Sequence, residues 1–283
     1  MDVLPKLPLD KWVDAAVDWI ESSLGFLLDP IAAGIEGAVE GISYVLHVLP
    51  ALAMIVLLAL IAWRFMRWKM ALFTLVGLFL IDNLGYWDHT MDTLALVLTS
   101  AIVSIAIGVP IGIACARSLR TQQIVTPILD FMQTMPAFVY LIPAVTFFNL
   151  GVVPGVIASV IFAVPPTIRL TNLGIRQVPA DLVEAADSFG STPAQKLVKV
   201  QLPLAVPSIM AGINQTIMLA LSMVVIASLI GAQGIGADVY RAVSQIKTGK
   251  GFEAGLAIVI LAIFLDRLTQ HLVKGKRQAD RRG

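Results

Sequence analysis

The sequence is poor in charged residues and in cysteine. Of its 283 residues only 14% are charged, 58% are hydrophobic, and the mean hydropathy is +0.85, whereas soluble domains carry about 25% charged and roughly 45–50% apolar residues. The single cysteine, Cys115, cannot form a disulfide within the chain, and the three histidines lie far apart and match no metal-ligand spacing. These scarcities argue against a soluble enzyme, a disulfide scaffold and a metal site. They indicate a chain whose main solvent is lipid.

Motifs for catalysis and nucleotide binding are also lacking. The stretch nearest to a phosphate-binding loop, 247–251, lacks the upstream glycine and the Ser or Thr that should follow the lysine. The sequence contains no nucleophile elbow and no HExxH motif. It therefore predicts a protein that is not an enzyme and that holds no cofactor of its own.

Few charges fall inside the apolar segments. Asp82, Asp130, Asp266 and Arg267 lie near the ends of such segments, whereas a charge at the centre of a span costs at least about 2.5–3.5 kcal/mol on insertion scales. Carriers driven by ion gradients retain central charges for their function. We therefore expect the energy for transport to come from another subunit.

Seven apolar segments are long enough to cross a bilayer core about 30 Å thick, which needs ~20 mostly apolar residues. They are 48–65, 70–87, 93–116, 125–150, 152–170, 207–232 and 254–272. The fourth contains Pro127, Pro136 and Pro143, so we expect it to be kinked or split. The predicted fold is an all-α membrane protein with about seven transmembrane helices.

Basic residues are distributed unequally between the two sets of loops. Fifteen of the 20 lysines and arginines fall on the side that includes 66–69, 117–124, 171–206 and the tail after 272. Loops rich in Lys and Arg stay in the cytoplasm. We therefore expect the C-terminus inside and the N-terminus outside.

The first 47 residues differ from the rest. Apolar residues recur at helical spacing over 13–28, and Trp12 and Trp19 suit the headgroup level. Glu36 and Glu40, one turn apart, argue that the following stretch does not cross the membrane. An extension held only loosely to the other helices is the alternative. The predicted domains are an amphipathic interfacial extension over 1–47, a transmembrane domain over 48–272 and a basic cytoplasmic tail over 273–283.

The longest polar cytoplasmic stretch, 171–206, predicts two short helices joined by an elbow. Gly190 directly follows the first helix, 180–189, and Ser191 or Thr192 can cap the second. The first helix would present an apolar ridge that suits a groove on a cytoplasmic partner. That ridge comprises Leu182, Val183, Ala186 and Phe189. The pair Leu202-Pro203 is then expected to break the chain before the next span.

The elbow carries a sequence pattern of its own. It reads Glu184-Ala185-Ala186, then Gly190, then Val200-Gln201-Leu202-Pro203. This pattern resembles the EAA loop of binding-protein-dependent ABC importer permeases, with valine where the family usually has isoleucine. The resemblance implies that the loop couples to a cytoplasmic ATPase subunit that holds ATP and Mg²⁺. The implied contact residues are Glu184, Ala185, Ala186, Phe189, Gly190, Leu202 and Pro203.

The resemblance extends to nearly the whole chain after about residue 70. Segments 85–88, 133–140, 151–155 and 214–223 look like those of the glycine betaine/proline betaine importer permeases. That family implies uptake of a quaternary-amine osmoprotectant across the bacterial cytoplasmic membrane. It also implies a second copy of the chain, two ATPase subunits and an extracytoplasmic substrate-binding protein as partners.

Candidates for the translocation pathway follow from the chemistry of a quaternary ammonium group, which aromatic faces hold best. They are Trp87, Phe138, Tyr140, Phe147, Phe148, Asn214, Gln215, Ser222 and Met223. Two alternatives stay open at this point. The chain could be an ABC permease for choline or another small solute, or a secondary carrier.

Overall fold

The computed structural model describes residues 8–279, and all regular secondary structure within that range is helical. The main helices are α1 (Leu9–His47), α2 (Ala51–Met66), α3 (Trp68–Asn83), α4 (Trp87–Arg117), α5 (Leu119–Thr134), α6 (Leu141–Phe148), α7 (Val152–Arg176), α10 (Leu202–Ala227), α11 (Ile235–Ser244) and α12 (Thr248–Ala279). The two short helices of the elbow region, α8 (Ala180–Ser188) and α9 (Pro193–Lys196), lie between α7 and α10; α6, with eight residues, is also short. The prediction of an all-α membrane fold is confirmed.

Helices α4, α7 and α10 form the centre of the molecule, where small residues let their backbones approach closely. A Cβ atom added to Gly108 would lie 2.8 Å from Cγ2 of Thr167, and one added to Gly112 would lie 2.6 Å from Cβ of Thr171. The hydroxyls of Thr167 and Thr216 are 2.8 Å apart across the α7–α10 contact. Small residues joined by interhelical hydrogen bonds are the packing expected of helices in lipid.

Three helical segments of the described chain are long and apolar enough to cross a membrane by themselves, namely α4, α7 and the continuous helix Pro193–Ile230. The number rises to five if each of two bent helix pairs is counted as one span. Seven spans were expected. Helices α2 and α3 have 16 residues each, about 24 Å of helix, so each alone falls short of a full crossing, and the count of seven stays a prediction.

The proline-rich segment 125–150 does split, as expected. Helix α5 ends at Thr134, a 3₁₀ turn covers Ala137–Tyr140, and α6 follows at an angle of 106° to α5. Pro136 sits at the bend in an extended conformation that cannot continue a helix. The Tyr140 hydroxyl donates to the carbonyl of Met132 and so ties the two sides of the bend together.

Helix α1 is a single helix of 39 residues that includes Pro30, and it meets α2 at 98°. Ile35 and Leu46, in its C-terminal half, are buried, whereas Trp12 and Trp19 are exposed. If α2 runs into the bilayer, this angle lays α1 along the surface, as the interfacial extension requires. At the other end α12 continues past the predicted boundary at residue 272 as far as Ala279. Residues 1–7 and 280–283, with the tail cations Arg281 and Arg282, lie outside the described range.

Candidate coupling site and translocation pathway

The elbow after α8 is a Schellman motif, in which a residue in the left-handed conformation ends the helix. The N–H of Ser191 donates to the carbonyl of Ala186 (3.0 Å), and that of Gly190 donates to Asp187 (2.9 Å). Gly190 has φ +73°, a conformation that costs residues with a Cβ free energy. The glycine predicted to lie just beyond the helix therefore supplies the turn itself.

The second elbow helix, α9, begins with a capping box. The backbone N–H of Gln195 donates to Oγ1 of Thr192 (3.3 Å), and the Thr192 N–H donates to Oε1 of Gln195 (2.9 Å). Lys196 then places Nζ 2.8 Å from both carboxylate oxygens of Asp187 on α8. The two short helices predicted for this loop are confirmed, with Thr192 as the cap.

The exposed surface of the elbow differs in part from the predicted apolar ridge. Phe189 is 91% exposed and Leu182 is exposed as well, but Ala186 is buried. Glu184 and Ala185 are exposed beside Phe189. The elbow therefore presents an aromatic side chain next to a carboxylate and a small residue, while Ala186 packs inward.

The expected chain break at Leu202-Pro203 is wrong. The backbone passes from α9 to α10 through a π-helical turn, Leu197–Gln201, in which the N–H of Leu202 donates to the carbonyl of Leu197. The wide turn accommodates Pro203, which has no N–H to continue an α-helical ladder. Helices α9 and α10 are thus parts of one continuous helix from Pro193 to Ile230, which begins directly after the elbow turn and extends into the centre of the fold.

Three of the predicted pathway residues are buried within this single chain. Trp87 belongs to the main hydrophobic core, and Tyr140 and Met223 share a second cluster. Met223 has no exposed surface at all. In this conformation the three side chains mainly serve packing, although Trp87 also lines a surface pocket near Asp82 and Asp88, so the pathway prediction is weakest for Tyr140 and Met223.

The other pathway candidates are accessible but dispersed. Phe138, Gln215 and Ser222 are exposed, and Phe147 and Phe148 are half-buried. The described residues bring no set of these aromatic side chains into one cage. Their part in translocation stays a prediction.

Asn214 has a different environment from the one expected for it. Its Nδ2 donates to Oδ1 of Asp266 (2.9 Å), and its Oδ1 accepts a hydrogen bond from Thr269. Gln270 donates to both carboxylate oxygens of Asp266 at 2.7 and 2.8 Å. This network between α10 and α12, which we call the α10–α12 clamp, provides hydrogen-bond partners for a carboxylate near the end of the last predicted span. The spacing of Asp266 and Thr269 on one helix face was visible in the sequence, but their partner on α10 was not.

Ion pairs join helices at both ends of the molecule. Arg169 on α7 lies 2.6 Å from Asp130 on α5, near the end that carries the elbow. At the opposite end Nδ1 of His89 lies 2.5 Å from Oδ2 of Asp238, which also accepts from Arg241 (2.8 Å). The hydrogen bond from Lys250 lowers the pKa of the Glu253 carboxyl, in the first turns of α12.

The family of the chain follows from a comparison with family models. Residues 108–278 match the model of the binding-protein-dependent transport system inner membrane component. The chain belongs to this family. Since the matched region contains the elbow, the clamp, the central helices α7 and α10 and the end of α4, the permease is a multi-pass membrane subunit of a binding-protein-dependent ABC importer. It is a transport component and not an enzyme.

Individual relatives resemble the permease over nearly its whole length. The glycine betaine transport system permease protein OpuAB of Bacillus subtilis is 60% identical over 98% of both chains. The glycine betaine/proline betaine transport system permease protein ProW of Escherichia coli is 50% identical over 98% of this chain and 78% of its own. In its fold the permease is similar to the inward-facing MetNI methionine ABC transporter, with a TM-score of 0.62 at 20% identity over 67% of this chain and 95% of the other.

Proposed function

We propose that the permease imports glycine betaine or a closely related quaternary-amine osmoprotectant. The observation that carries the proposal is the likeness to a glycine betaine permease, which is 60% identical over 98% of this chain. The accessible aromatic side chains Phe138, Phe147 and Phe148 have the right chemistry to guide a trimethylammonium group. They would hold it weakly, because they form no closed cage.

The permease works as a homodimer in this proposal, with one ATPase subunit docked on each elbow. Each ATPase binds ATP and Mg²⁺, and Phe189 and Glu184 supply the contact. Closure of the ATPase pair would move the elbow, and the continuous helix Pro193–Ile230 would carry that motion into the packed α4–α7–α10 centre. Alternating access needs only two such packings that differ by a few kcal/mol.

The proposed orientation puts the elbow in the cytoplasm and the α11–α12 turn outside. It is supported by the excess of Lys and Arg on the elbow side. A substrate-binding protein would then deliver the osmoprotectant to the face that carries His89 and Asp238.

A permease for choline or another small solute is the second candidate, since relatives with that function also match, at lower identity. The choline transport system permease protein OpuBB of Bacillus subtilis is 29% identical over 62% of this chain. A competition assay with unlabelled choline separates the two substrates. A secondary carrier has less support, because Asp266, a carboxylate near the end of the last predicted span, is already engaged by Asn214 and Gln270.

The test is reconstitution of the permease in liposomes with its ATPase and binding protein. We expect uptake of labelled glycine betaine that requires ATP on the ATPase side and that fails in the double variant Glu184→Lys with Gly190→Trp. Glu21→Lys, an equal charge reversal at an exposed position of α1, is the matched control and should retain uptake. Uptake that does not require ATP, or that persists in the double variant, contradicts the proposal.

A further inference from the structure

The turn between α2 and α3 concentrates cations and aromatic side chains. Seven consecutive residues, Trp63 to Lys69, contain three basic and three aromatic residues, six of which are exposed. Within residues 8–279 none of the three basic side chains has a carboxylate within 4 Å. Arg64 instead lies over the ring of Phe65, with Cζ 5.8 Å from the ring centroid. The described part of the chain thus offers these positive charges no counterion within 4 Å.

An apolar groove starts at the same turn. It encloses about 270 Å³ between α2 and α3 and is lined by Val56, Ala59, Leu60, Trp63, Ala71, Leu72 and Leu75. On α2 the lining covers seven residue steps, about 10 Å of helix, and it begins one turn from Arg67. The groove has the shape and polarity to take a hydrocarbon chain, and its cationic end lies where the head group of that chain would be.

The length of the two helices explains why the cations require an external partner. Each helix has 16 residues, about 24 Å, whereas the hydrocarbon core is about 30 Å thick. A helical hairpin as short as α2–α3 is accommodated by local thinning of the bilayer or by flanking residues that extend to the interface. Arg64, Arg67 and Lys69 therefore meet lipid phosphates at close range. The α3 N-terminus, which has no side-chain cap, adds to the positive potential there.

We propose that the α2–α3 turn and its groove form a binding site for one anionic diacyl phospholipid, with its phosphate at Arg64, Arg67 and Lys69 and one acyl chain between α2 and α3. The assignment of this site to the inner leaflet rests on the proposed orientation. The site itself does not depend on which substrate is transported. Basic residues near a membrane surface favour anionic lipids by roughly fivefold each.

The experiment measures lipid retention by native mass spectrometry on the purified full-length chain, equilibrated with equal amounts of phosphatidylglycerol and phosphatidylcholine. Arg64→Gln with Lys69→Gln removes two cations but keeps Arg67, whose backbone has φ +77° and shapes the turn. The matched control, Arg117→Gln with Arg120→Gln, removes two exposed cations at the α4–α5 turn. We expect the parent and the control to prefer phosphatidylglycerol by roughly a hundredfold, and the hairpin variant, which keeps one of the three cations, by only roughly fivefold.

A second variant tests the groove separately from the charges. Val56→Trp fills its far end without a change of charge and should lower the retention of phosphatidylglycerol. Equal retention of both lipids by the parent, or an equal loss in the hairpin variant and the control, overturns the site. Unchanged retention in Val56→Trp overturns the acyl-chain part. Lipid retention needs neither ATP nor substrate, so a failure of glycine betaine uptake with the preference intact would count against the proposed function alone.

Discussion

At the scale of single residues, Phe189 is the most conspicuous feature of the elbow, because an aromatic side chain that is 91% exposed gains nothing from the fold of its own chain. Phe189→Ala should therefore leave the thermal unfolding of the isolated permease within about 0.5 kcal/mol of the parent. Anchor residues of an interface cost about 2 kcal/mol or more when truncated, so we expect the affinity for the ATPase subunit to fall roughly 30-fold. Phe252→Ala, 72% exposed at the start of α12, is the control, and an equal loss there would contradict the assignment.

Gly190 is a second residue whose role can be separated from its size. A Cβ atom at this position would meet nothing within 4 Å, so any penalty must come from φ +73° alone. Asn tolerates the left-handed conformation and Val does not. We expect Gly190→Val to cost about 1–2 kcal/mol locally and to abolish most ATP-driven uptake, while Gly190→Asn retains most of it. Equal uptake by the two variants would show that the Schellman turn is not what the ATPase requires.

At the scale of helices, the contact between α4 and α7 is set by a glycine with no room for a side chain. A Cβ atom at Gly112 would lie 2.6 Å from Cβ of Thr171 and 2.8 Å from the carbonyl oxygen of Ile168. Gly112→Ala should lower the free energy of unfolding by about 1–3 kcal/mol through overpacking, measured by thermal unfolding in detergent. Gly41→Ala, where α1 offers open space, should instead be neutral or stabilising by about 0.5–1 kcal/mol. A Gly112→Ala protein as stable as the parent would exclude tight packing here.

The α10–α12 clamp makes a further prediction for helix pairing. Asn214→Leu leaves Asp266 without its partner on α10, and interhelical hydrogen bonds in membranes contribute roughly 0.6 kcal/mol on average and up to about 1.7. Asn214→Asp should be worse, because it places two carboxylates within hydrogen-bond distance of each other. Thr146→Val, which removes an exposed hydroxyl bonded only within its own helix, is the control in thermal unfolding. Equal stability of Asn214→Asp and Asn214→Leu would indicate that the clamp is not formed.

The elements that the sequence predicted well are those determined by local chemistry. The elbow follows from Gly190 and Thr192, whose turn and cap hydrogen bonds reach only a few residues along the chain. The split near Pro136 is also local. In contrast, the burial of Tyr140 and Met223 depends on which helices lie beside them, and the Asn214–Asp266 pair spans 52 residues. The π turn that carries the helix through Pro203 was missed because proline after a short helix more often ends it.

At the scale of the whole molecule, the long helix between the elbow and the α11–α12 turn predicts that these two ends lie on opposite sides, whichever orientation holds. Between the elbow and the α11–α12 turn the chain passes once through the long apolar helix Pro193–Ile230. We therefore expect Phe189 and Ile246 to lie on opposite faces of the membrane. The charge distribution adds only the choice of which face is cytoplasmic.

Site-directed labelling tests both statements together. The chain has one cysteine, Cys115, which is buried. Cys115→Ala therefore gives a cysteine-free background in which labelling of a single introduced thiol can be detected. Phe189→Cys and Ile246→Cys place that thiol at positions 91% and 87% exposed. In intact cells that lack the ATPase, a membrane-impermeant maleimide should label Ile246→Cys at once and Phe189→Cys only after permeabilisation. The reverse pattern would invert the proposed orientation and place the elbow where no ATPase could reach it. Labelling of both from outside would contradict the single crossing, and with it the direct link from elbow to core on which the coupling depends.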